Sequence, residues 1–193
     1  MSSWILLPVA LMMLCSSTLC SLDCDLTQGL KADFSLLHQM STFSLVPCWK
    51  DRTNFHFPKE AMEGSQLQRE NGTVILHEML QHTFTIFRQN STPKTWNQTQ
   101  LRRLLMGLHR QLEQLERCVG QDMQWEEPSL GNQNPSLALE SYFQGISQYL
   151  QAKEYSHCAW EIVRVESRKL LLFMNKLYSQ ELRKKKIDFQ FFK

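Results

Sequence analysis

Apolar residues recur along this 193-residue chain in steps of three and four, the period of helices that bury one face. Five segments carry the pattern. The first runs from about Leu26 to Leu45, with Leu26, Leu30, Phe34, Leu37 and Met40 on one side, and Pro47 stops it. The second, about Thr73 to Arg88, aligns Leu76, Met79, Leu80, Thr83 and Phe87. After the turn residues Asn90-Ser91-Thr92-Pro93, Thr95-Trp96-Asn97-Gln98 has the form of a capping box opening a third helix. That helix carries the most regular stripe: Leu101, Leu105, Leu108, Leu112, Leu115 and Val119. Asn134-Pro135 starts a fourth helix, burying Leu139, Tyr142 or Phe143, Ile146 and Leu150. The fifth runs from about His157 to Lys186 on Trp160, Val163, Leu170, Met174 and Leu177. Gly107 and Gly145 fall inside helices, where each costs about 1 kcal/mol relative to Ala.

Composition supports long helices. Only seven Gly and six Pro occur, against 29 Leu and 18 Gln, which excludes a turn-rich β-sandwich. The length fits one domain. Lys and Arg number 21 against 19 Asp and Glu, so the chain as a whole has no broad attraction to nucleic acid.

The apolar run Trp4 to Leu14 is short for a membrane span and has the length of a signal-peptide core, with small residues at Thr18 and Cys20. Residues 1–23 are therefore read as a signal peptide cut between 20 and 23, and residues 24–193 as one secreted domain with a basic tail at Arg183-Lys184-Lys185-Lys186. Export leaves Cys24, Cys48, Cys118 and Cys158 for two disulfides in an oxidising compartment. Asn71, Asn90 and Asn97 begin N-glycosylation sequons.

Cys24 and Cys48 bracket the first helix, whose length far exceeds the ~7 Å that a disulfide bridges between Cα atoms. Two pairings remain. If the first two helices run parallel, Cys24 meets Cys118 and Cys48 meets Cys158; if antiparallel, Cys24 meets Cys158 and Cys48 meets Cys118. The long connection between those helices favours the parallel case, an up-up-down-down bundle with an extra helix.

Catalytic motifs are missing. His77-Glu78-Met79-Leu80-Gln81-His82 puts its second His one residue too far for HExxH, and no GxSxG, P-loop or GxGxxG occurs. The other histidines (His38, His56, His109, His157) have no ligand partner at helical spacing. Helix five offers a contact patch instead. Val165, Arg168, Lys169 and Leu172 share a face turned away from the core stripe.

Five blocks of the chain resemble the type I interferons: Cys24-Asp-Leu-Thr-Gln28, Cys48-Trp-Lys-Asp-Arg52, Phe55-His-Phe-Pro58, Leu76-His-Glu-Met79 and Tyr155-Ser-His-Cys-Ala-Trp-Glu-Ile-Val-Arg164. The likeness spans about residues 24 to 186. It implies an all-α helical cytokine bundle of five helices with a long first crossover and disulfides Cys24–Cys118 and Cys48–Cys158. It also implies a non-enzymatic, monomeric signal that bridges the two chains of the type I interferon receptor and starts JAK-STAT antiviral and antiproliferative signalling, without cofactor, metal, nucleic acid or membrane insertion. By the same resemblance, the high-affinity receptor chain meets Trp49, Arg52, Arg164, Val165, Arg168, Lys169 and Leu172. The second chain meets His77, Glu78, Gln81, Phe84 and Thr85.

Departures from the alpha subtypes fall at Glu140 and Gly145, where Arg is common, and at Leu105 and His109, where Tyr is frequent. The likeness as a whole is to the alpha and omega types, and these departures add a divergent, limitin- or zeta-like subtype as a further expectation. They also motivate a second reading, a variant that occupies the high-affinity chain but signals weakly or antagonises. A secreted hydrolase is a distant third and rests on the histidines alone.

Overall fold

The computed structural model describes residues 25–63, 71–119 and 135–191, with the side chains at 63, 71, 118–119 and beyond 180 excepted. Its helices are α1 (Thr27–Gln39), α2 (Lys59–Glu63), α3 (Asn71–Phe87), α4 (Gln98–Val119), α5 (Pro135–Ala152) and α6 (His157–Phe191), with a 3-10 turn at Val46–Asp51. The expected signal peptide, Cys24, the side chains of Asn71 and Cys118, and those of the basic tail lie outside this description.

Contacts between named residues set the direction of each helix. Asp33 of α1 meets Gln111 of α4, and Gln39 meets Gln100, so α1 and α4 run antiparallel. On the other side of α4, His77 of α3 faces Glu116 and Phe84 faces His109, so α3 and α4 are antiparallel too. Helices α1 and α3 are therefore parallel, as the long connection predicted. Leu37 of α1 meets Arg164 of α6 and Phe34 meets Arg168, which makes α6 run with α4. The result is up-up-down-down for α1, α3, α4 and α6. Helix α5 packs beside α3 and α6, with Phe143 on His82 and Tyr142 on Glu166.

The core follows the expected stripes with two shifts. Helix α1 ends six residues before the expected Leu45, because Ser41 and Ser44 hydroxyls accept the amides of Phe43 and Val46 and turn the chain. Helix α4 starts at Gln98, not inside a Thr95 capping box. Asn97 is its cap, with Oδ1 accepting the amides of Thr99 and Gln100, while the Thr95 hydroxyl faces His157 Nδ1. The cause is Trp96, whose burial draws residues 93–96 into a turn. On α4, Leu104 and Gln111 join the buried face and Leu105 is only partly covered.

Cys48 and Cys158 form a disulfide, with Cα atoms 5.2 Å apart, that fastens the 3-10 turn to the first turn of α6. Phe55 then packs edge-on to Tyr149, and Phe57 against Tyr142 and Phe173, laying the crossover along α5 and α6.

Between α1 and α4 lies a buried polar contact. Gln111 Nε2 donates to Asp33 Oδ2 and to the Gly107 carbonyl. Gly107 earns its place in the helix by proximity: a Cβ there would collide with the Asp33 carboxylate. Gly145 has nothing within 4 Å, and nothing in the structure explains it. Burial raises the Asp33 carboxyl from 3.8 to about 7, against the opposing pull of the Gln111 hydrogen bond and the Arg110 charge. The folded chain thus holds this proton more tightly than the unfolded chain. The associated stability is fully present below about pH 4 and is lost as pH rises through about 7. Asp33→Asn should flatten the stability profile between these limits, removing a difference of up to about 4 kcal/mol measured by denaturant unfolding. An Asp33→Asn profile parallel to the parent would refute this.

Candidate functional site

Helix α6 has a locked face and an open face. On the locked side Glu161 is fully buried, and its charge is met from two directions. Trp96 Nε1 donates to Oε1 at 2.6 Å, while Arg164 Nε and Nη2 donate to Oε2 at 3.0 and 2.8 Å. Arg164 Nη1 donates onward to the Leu37 carbonyl at 2.6 Å. Because Leu37 lies in the last turn of α1, the guanidinium also serves as a cationic partner for that helix end.

This placement differs from the open surface position expected for Arg164. Arg164 was assigned to a surface contact, yet it is only 4% exposed and most of its donors are committed inside the protein. It positions α6 and presents no free charge. The other six residues of that set do reach the surface. Trp49 is 63% exposed in the 3-10 turn, and Leu172 is 53% exposed on α6. Arg52 and Lys169 are exposed, Lys169 pairing with Glu166 at 2.9 Å. Val165 is half-buried, as is Arg168, which lies over the Phe34 ring at 4.7 Å.

Helical geometry joins the turn to the strip. Cys158 and Val165 are seven residues apart, about two turns and 10 Å along α6, and so lie on the same side. The disulfide seats the 3-10 turn on that side, which puts Trp49 at the N-terminal end of the strip Val165–Lys169–Leu172. Sequence reasoning overlooked Val46, 74% exposed beside Trp49, and Phe43, edge-on to His157. Neither lies in a helical stripe, so periodicity carries no signal for them.

A second concavity, of about 260 Å³, lies between α3 and α4. It contains four of the five residues expected at a second site: His77, Gln81, Phe84 and Thr85. Glu78 lies off this groove and accepts the Ser136 hydroxyl at 2.9 Å. The opposite wall comes from α4, with His109, Glu113 and Glu116. His77 pairs with Glu116 at 3.0 Å and His109 with Glu113 at 3.3 Å. The α4 residues share a face at spacings of four and three, a signal that becomes usable only once α3 and α4 are known to be antiparallel. His82, the other half of the near-HExxH segment, stacks on Phe143 instead. Among the described residues, no group of three or more His, Cys, Asp or Glu is arranged to hold a metal ion.

Comparison with known proteins gives this arrangement a family. The interferon alpha/beta domain matches residues 22–181. The chain belongs to the type I interferon family. It is 44% identical to human interferon omega-1 over 183 residues, covering 93% of each chain. With red deer (Cervus elaphus) interferon tau it shares 44% over 168 residues, 85% of this chain and 86% of that one. With human interferon alpha-21 it shares 40% over 181 residues, 92% and 95% of the two chains. These omega, tau and alpha relatives lend no support to a limitin-like subtype. Zebrafish interferon 2 matches in structure with a TM-score of 0.65 at 24% identity, over 78% of this chain and 96% of that one, which establishes the shared fold. The family is non-enzymatic, so this interferon is a cytokine and not a hydrolase. Among the described residues no helix is long and apolar enough to cross a membrane.

The two faces of α6 should separate in mutation. Arg164→Ala should destabilise the fold by about 3–5 kcal/mol, because it strands a buried carboxylate. Trp49→Ala should stay within about 0.5 kcal/mol of the parent, as expected of an exposed site. Denaturant melts of both variants check this; equal losses would contradict the assignment.

Proposed function

We infer that this interferon is a secreted agonist that holds two receptor chains together outside the cell and so activates their associated kinases and JAK-STAT signalling. The high-affinity chain docks on Trp49, Arg52, Val165, Lys169 and Leu172, with Arg168 at the edge. The observation that carries this reading is the pairing of exposed apolar side chains with cations on a rigid support. Trp49 and Leu172 are more than half exposed, yet the disulfide and the locked face of α6 hold their backbone. Such residues lose little conformational freedom on binding and supply the desolvated centre of an interface. Arg52 and Lys169 supply charge around that centre.

The second chain docks on the α3–α4 groove through His77, Gln81, Phe84 and Thr85. Glu140 is exposed on α5, beyond that groove. The leader, residues 1–23, directs export, and Cys24 pairs with Cys118. The antiparallel run of α1 and α4 supports that pairing, since it brings the start of one beside the end of the other. Asn90 and Asn97 are exposed and suited to carry glycans, and Asn97 caps α4 through Oδ1, which leaves Nδ2 for the sugar.

Purified protein on matched-species cells should cause phosphorylation of the downstream transcription factors, and cells lacking the second chain should show none. Trp49→Ala with Leu172→Ala should weaken binding to the high-affinity ectodomain by about 100-fold or more. Surface binding without phosphorylation in normal cells would establish the antagonist reading instead. Unchanged affinity in the double variant would remove the α6 site.

A further inference from the structure

The solvent face of α4 carries a row of arginines that neither receptor surface uses. Arg103, Arg110 and Arg117 are each seven residues apart and all exposed. Seven residues are two helical turns, so the three guanidinium groups lie along one side at steps of about 10 Å, a row about 21 Å long. Arg102 stands next to the first and is also exposed. None of the four makes an ion pair among the described residues, although the Arg110 charge also acts on the buried Asp33 carboxyl. Of the acids on the same helix, Glu113 pairs with His109 of α4 itself at 3.3 Å, and Glu116 reaches across to His77 of α3 at 3.0 Å. The row therefore keeps a concentrated positive charge on a chain whose total is only +2.

We propose that this row binds a sulfated polysaccharide of the extracellular matrix or cell surface. Charge complementarity identifies the occupant. A row one residue wide fits a single linear polyanion, and the planar guanidinium pairs bidentately with sulfate oxygens. A membrane surface fits less well, because Met106 is the one large apolar side chain exposed on the described part of α4 and offers little to insert. The proposal depends on the secreted location inferred above but not on receptor binding. Retention of the protein near its source, or delivery along a cell surface to its receptor, would follow.

The test is chromatography on immobilised heparin with a salt gradient, supported by affinity measurements at fixed ionic strength. Arg103→Gln/Arg110→Gln/Arg117→Gln should elute at clearly lower salt and bind about ten-fold or more weakly, from the loss of three exposed charge pairs. A control, Lys50→Gln/Lys94→Gln/Lys153→Gln, makes the same change in net charge and should elute close to the parent. All six positions are exposed, and matching circular dichroism spectra would verify folding. Equal effects of the two triple variants would overturn the proposal by reducing it to net charge. Loss of retention only on replacing Arg183 to Lys186 by Gln would overturn it in favour of the tail. Binding to phosphatidylserine vesicles without heparin retention would overturn it in favour of a membrane. Receptor signalling is a separate readout, so the failure of either idea leaves the other standing.

Discussion

A buried carboxylate organises this molecule. Glu161 sits with no solvent exposure near the end of the bundle where α1 stops and α4 and α6 begin, and an ionised side chain there is tolerated only with its partners in place. Those partners come from different parts of the chain: Trp96 from the turn before α4, and Arg164 from α6, itself tied to the end of α1 through Leu37. Apolar packing alone leaves small adjustments of α6 open, because apolar side chains can repack. The hydrogen-bonded pair does not, because each displaced partner would leave a buried group unsatisfied.

Fixing the rotation of α6 fixes what faces outward. With Trp160, Val163, Leu170 and Met174 turned to the core, Val165, Lys169 and Leu172 point the other way. The disulfide at Cys158 adds Trp49 to the same side, and the aromatic contacts of Phe55 and Phe57 carry the crossover along α5 and α6. One helix thus joins stability to recognition, and the division between its faces is sharp enough for mutations to separate the two.

Much of this was legible in the sequence, for identifiable reasons. Five amphipathic helices and their core stripes follow from periodicity, which burial imposes directly. The parallel run of α1 and α3 followed from loop length, and the Cys48–Cys158 bond from that topology. What was missed depended on long-range contacts. Trp96 displaced a plausible capping box by its own burial, and Asp33 shifted the α4 stripe by drawing Gln111 inward. Arg164 was placed at a contact by the family resemblance alone, and a resemblance carries no information about burial. Only the position of Glu161 three residues earlier hinted otherwise, and i, i+3 pairs are commonly solvated. The groove between α3 and α4 was half visible: its α3 wall was anticipated, but its α4 wall needed the relative phase of two helices.

Glu161 and Arg164 hold α6 as one unit. A double-mutant cycle with Glu161→Gln, Arg164→Met and the combined variant, measured by denaturant unfolding, tests it most directly. Each single change should be strongly destabilising while the pair together costs much less than their sum, with a coupling energy of about 2–3 kcal/mol. Additive losses would mean that the two side chains stabilise the bundle independently. The locked face of α6 would then owe its position to apolar packing alone.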